Sequence, residues 1–107
     1  MASTDPIFAA IERHRLADAA YDDSIERQAD ESEKDALGEK EKAALIALLR
    51  TQPQTVAGCL ASLRYVTDWA RNNDAALFDA WSDPYKSAGA AFIPMIADAI
   101  EAINKNR

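Results

Sequence analysis

The chain has 107 residues, enough for one domain, and its twelve Lys and Arg against eighteen Asp and Glu leave a formal net charge of −6. That balance excludes nucleic acid as an expected partner, because gripping a phosphate backbone needs a basic stripe and no cluster of Lys and Arg supplies one. Three glycines, four prolines, abundant alanine and few Val or Thr runs predict an all-α protein.

The longest apolar run, 88–97, is about half of the roughly 20 residues a membrane-spanning helix needs. The opening Met1-Ala2-Ser3-Thr4-Asp5 lacks the cationic start of a secretion signal. A cytoplasmic protein with no membrane partner is therefore expected. Cys59 is the single cysteine, so no internal disulfide can form, and a buried small hydrophobe in a reducing compartment is its expected role.

Asp5-Pro6 predicts the first helix start, with Asp5 as N-cap and Pro6 at the first helical position. Ile7, Ile11, His14, Asp18, Tyr21 and Ile25 follow at spacings of four and three, a helical stripe with polar members that Phe8, Leu16 and Ala19 broaden. Between Asp22 and Glu41 nine acids face three bases. Opposite charges four apart (Asp23 with Arg27, Arg27 with Glu31, Asp30 with Lys34) let this helix continue as a solvated extension to about residue 36. Gly38 is the expected break, with a cap at Ser32 and a second helix from Glu33 as the alternative. The acids of this stretch are expected to face solvent, away from any site.

A second helix over 39–50 carries the apolar run Ala43 to Leu49 and folds back on the first as an αα-hairpin. The short link Arg50 to Gln54 predicts that the second and third helices are direct neighbours. The third, 54–72, is expected to be the most buried. Its face is drawn through Val56, Leu60, Leu63, Thr67 and Ala70, and Cys59, Val66 and Trp69 widen it. Pro53 and the threonines Thr51 and Thr55 mark its start, and Gly58 is expected where another element approaches closely. A short helix over 75–82, with Leu77, Phe78 and Trp81, precedes a last helix over 85–104 in which Gly89 and Pro94 predict a kink or a split. The architecture is an all-α, antiparallel bundle of four main helices plus one short helix, opened by a long N-terminal hairpin.

DPIFAAIERHR (Asp5 to Arg15) and the pattern TxPxTxAGxxAxLRYV (Thr51 to Val66) resemble a group of short helical alphaproteobacterial proteins of no assigned activity. The two matches cover roughly a quarter of the chain. The resemblance implies a helical fold and a bacterial cytoplasmic setting and carries no chemistry.

His14 and Asp18 lie one helical turn apart on a mostly apolar stripe, and Arg64 and Tyr65 sit within the third helix. Buried polar groups need partners, so His14, Asp18 and Arg64, with Tyr21 or Tyr65, are expected to form one polar cluster. It is either a small anion-binding or acid–base pocket or a structural network that fixes helix register. No catalytic, cofactor-binding or metal-binding residue is assigned: one His and one Cys argue against a histidine-based metal site, and Ser62 and Ser87 have no base at a nucleophile's spacing.

Two functions follow. The first is a non-enzymatic helical interaction module that acts as a homodimer or on a protein partner; the second is a small-molecule sensor or enzyme that uses the His14, Asp18 and Arg64 pocket. A closed, fully paired cluster favours the first, and an open cleft with His14 at its floor favours the second.

Overall fold

The structure, a computed structural model, describes residues 5–72 and 85–105. It contains four helices, α1 (Pro6–Glu26), α2 (Glu31–Leu49), α3 (Val56–Asn72) and α4 (Tyr85–Lys105), and no strand among the described residues. The all-α expectation holds, and α1 and α2 form the hairpin. The short helix expected over 75–82 lies outside the described residues.

Asp5 caps α1 as expected, its Oδ1 accepting from the Ile7 amide at 3.1 Å with Pro6 in the first turn. The break after α1 is not at Gly38. The helix ends at Glu26, Gln28 takes the left-handed conformation at φ 54°, and two amides fold back: Ala29 N–H donates to Ser24 at 2.9 Å and Gln28 N–H to Ile25 at 3.1 Å. This paired pattern closes a helix end whose C′ residue is usually glycine, and a glutamine there leaves no sequence signal. Asp30 then caps α2, its Oδ1 accepting from the Glu33 amide at 2.8 Å. The turn lies close to the Ser32 alternative.

Of the three charge pairs expected along an unbroken helix, Asp23 with Arg27 forms at 3.0 Å. Because the chain turns at 27–30, Arg27 reaches Glu33 instead of Glu31, and Lys34 pairs with Glu31 at 2.8 Å. Gly38 lies inside α2, where a Cβ would stand 3.2 Å from Tyr21 Cε1. The glycine lets the Tyr21 ring lie against the α2 backbone.

The helices form a ring of neighbours: α1 packs on α2 and α3, and α4 packs on the same two. The expected contact between α2 and α3 does not form, and the most extensive packing is that of the α1–α2 hairpin. Asp5 decides this. Its Oδ2 accepts from the Gln54 and Thr55 amides, both at 3.0 Å, and from the Thr55 hydroxyl at 2.7 Å. The link after α2 is thereby drawn across the N-terminus of α1, and α3 starts beside α1. Thr55 in turn caps α3, its Oγ1 accepting from the Gly58 amide at 2.9 Å.

The same anchor rotates α3. Gly58 faces Asp5 and Ile7, so Cys59, Ser62, Val66 and Ala70 turn inward, and Val56 and Leu60 stay 51% and 49% exposed. The expected face is thus wrong at Val56, Leu60 and Thr67 and right at Cys59, Val66, Trp69 and Ala70. Ile7 and Ala10 of α1, Leu45, Leu48 and Leu49 of α2, Cys59 and Val66 of α3 and Phe92, Ile96 and Ala99 of α4 make one core. Cys59 is buried within it, as expected, and burial first and then the Asp5 charge push its thiol up from the ordinary range.

Around Pro94 α4 runs on without splitting. The bundle measures 52 × 35 × 19 Å with a radius of gyration of 15.0 Å, against about 13 Å for a compact chain of this length. No described helix is long and apolar enough to cross a membrane.

Candidate polar site

Spacing alone puts His14 and Asp18 on one face of α1 and Tyr65 and Trp69 on one face of α3, each pair one turn apart. Packing of α1 on α3 and α2 brings these faces together with Glu41 of α2. His14 is fully buried. Its Nδ1 lies 2.6 Å from the Tyr65 hydroxyl and its Nε2 2.6 Å from Glu41 Oε2. Because a carboxylate accepts, Nε2 carries the hydrogen toward Glu41, and in that tautomer Nδ1 accepts the Tyr65 O–H. A hydrogen-bonded chain therefore crosses three helices, from α3 through α1 to α2.

The imidazole is also walled by rings. Tyr65 and Trp69 meet it edge to face, with centroid distances of 5.6 and 5.7 Å and interplanar angles of 86° and 78°. Burial first, and then the Asp18 charge, raise the Tyr65 phenol to about 12, so it keeps its hydrogen at neutral pH. Asp18 is half-buried beside this chain. Burial and then the Asp22 charge raise its carboxyl; Glu41 raises it further, and His14 and a side-chain hydrogen bond from Trp69 partly offset this.

The structure thus brings together His14, Asp18 and Tyr65 of the expected cluster. Arg64 is not in it: the residue is exposed, because the rotation that turns Tyr65 toward α1 turns its neighbour out. Tyr21, two turns along α1 from His14, packs on Gly38 and lines a cleft of about 380 Å³ that reaches Glu41.

Sequence reasoning missed Glu41, which it had placed on an outward-facing acidic surface. The side chain is 14% exposed. The signal lay in the spacing of Glu41, Leu45 and Leu48, which share one stripe of the second helix whether it starts at Glu31 or at 39, and Gly38 extends that stripe in the longer helix.

Chemically, the chain fixes one tautomer of a dry imidazole and holds a phenol and a carboxylate on its two nitrogens. It can lock the register of three helices, pass a proton along its length, or offer Nε2 and two carboxylates to a cation. No protein-family model, curated protein or solved structure matches the chain.

Proposed function

We propose that the protein is a non-enzymatic helical interaction module of a bacterial cytoplasm, and that it acts as a homodimer joined through α3 and α4. The observation that carries this reading is the apolar surface these helices leave in water. Val56 and Leu60 lie one turn apart on α3, and Ile93 and Ile100 two turns apart on α4, 40–54% exposed. Among the described residues nothing covers these side chains further.

Charge favours a second copy as the cover. α3 and α4 carry Arg64, Arg71, Lys86 and Lys105 against Asp68, Asp98 and Glu101, near balance, whereas the acidic excess lies between Asp22 and Glu41 on the hairpin. Two copies joined through α3 and α4 keep their acidic hairpins apart. The buried, doubly hydrogen-bonded His14 supports a structural role for the polar chain over a substrate pocket, and the exposed Arg64 removes the anion-binding element from the sensor reading. The lone, buried Cys59 and the alphaproteobacterial resemblance support the cytoplasmic setting.

Size exclusion with light scattering, run from micromolar to hundreds of micromolar, tests this. The expected result is a mass that rises to two chains, with Leu60→Glu or Ile93→Glu returning it to one. A mass fixed at one chain throughout sinks the reading.

A further inference from the structure

We propose that His14, Asp18 and Glu41 form a binding site for a single divalent transition-metal ion of the zinc class, with Tyr65 holding the imidazole from behind. The donor atoms of these residues lie within 4.8 Å of one another, and α1 and α2, which supply them, are the most extensively packed helices of the molecule. Two ligands of one tetrahedral zinc ion, each at about 2.1 Å, stand about 3.4 Å apart. Binding therefore draws the two carboxylates in by side-chain rotation, while the 2.6 Å contact between Nε2 and Glu41 opens to admit the ion.

The second shell is already built. A ligating imidazole is normally held through its other ring nitrogen, which fixes tautomer and orientation. Here Tyr65 takes Nδ1 at 2.6 Å, and the Tyr65 and Trp69 rings clamp the imidazole edge to face. Nε2 is left directed at the carboxylate side. One nitrogen and two carboxylate oxygens suit Zn²⁺, Mn²⁺ or Fe²⁺ and disfavour thiophilic Cu(I). The two negative charges match a divalent cation, which also relieves the repulsion between Asp18 and Glu41.

Access exists on the Glu41 side, where the cleft lined by Tyr21, Gly38 and Glu41 opens to solvent. The lysines along it, Lys34 and Lys42, are paired with Glu31 at 2.8 Å and Glu39 at 3.6 Å. On binding, the Nε2 lone pair goes to the metal and the ring hydrogen resides on Nδ1, which donates to the Tyr65 oxygen as the phenol O–H turns away. Water completes the coordination.

Because His14 is the one histidine of the chain, its ring nitrogens give a single, unambiguous signal. The test is titration of the ¹⁵N-labelled, unmodified protein with zinc chloride, followed by ring ¹H–¹⁵N correlation and calorimetry. The expected result is one ion per chain, with Nε2 changing from a protonated to a metal-bound shift at one equivalent. Asp18→Asn and Glu41→Gln should each weaken binding at least about tenfold, and Glu101→Gln, an exposed acid on α4 away from the donor set, should not. Absence of binding, or zinc uptake that leaves the ring signals of the unmodified chain unchanged, overturns the proposal even where a variant does not fold.

Discussion

The Asp5 carboxylate holds Thr55 twice, accepting from its amide at 3.0 Å and from its hydroxyl at 2.7 Å, so the starts of α1 and α3 share one anion. Positive ends of two helix dipoles and four donors converge on a residue that is 5% exposed. Asp5→Ala should lower stability by about 3 kcal/mol, roughly 1 for the lost cap and the rest for buried amides left unsatisfied. Urea unfolding measures it, and a loss no larger than an exposed cap's would show that the second helix start is held otherwise.

The same carboxylate sets an acid limb. Burial raises the Asp5 carboxyl, but the Thr55 hydroxyl and the amides of Ile7, Gln54 and Thr55 outweigh it and hold the group below its ordinary value of 3.8. A depressed carboxyl binds fewer protons folded than unfolded, so its stabilisation is present above pH about 4 and is lost as pH falls through the folded value. The stability of Asp5→Asn should therefore fall less steeply below pH 4 than that of the parent, as read by urea midpoints across that range.

Gly58→Ala should be destabilising although alanine is the better helix former. A Cβ there would overlap Asp5 Oδ2 and stand 2.9 Å from Ile7 Cγ2. Overpacking of this kind costs about 1–3 kcal/mol, more than the roughly 1 kcal/mol of helix propensity gained. A raised melting temperature would contradict the close approach of α1 to α3.

Gln28→Gly should stabilise, by about 0.5–1 kcal/mol. Gln28 holds φ 54° to let Ala29 and Gln28 close the end of α1, and glycine adopts that conformation without the Cβ penalty. Thermal unfolding gives the sign, and destabilisation would argue for a different chain path between α1 and α2.

Tyr65→Phe and Glu41→Gln should be coupled through His14. Each removes one partner of a buried imidazole, at about 1–3 kcal/mol. Because both act on one ring, the double variant should differ from the sum of the singles by at least about 0.5 kcal/mol. Additivity would mean that the two hydrogen bonds do not form one chain.

Local chemistry was legible without the fold. The Asp5-Pro6 start, the threonine cap of α3, the close approach at Gly58, the burial of Cys59 and the pairing of Asp23 with Arg27 depend on groups near in sequence or on composition, and each is found in the structure. The break between α1 and α2 was not legible, because its left-handed residue is a glutamine and the one glycine nearby serves the packing of Tyr21. Glu41 was grouped with the solvated acids of that stretch although it shares a stripe with Leu45 and Leu48, and this left Arg64 as the imagined partner of His14. Only the tertiary structure decided the rotation of α3. Asp5, some fifty residues away in the chain, captures its first amides and turns Tyr65 toward His14 and Arg64 toward water. A helix with apolar residues on most of its circumference has several faces it could bury, and a contact distant in sequence selects one of them.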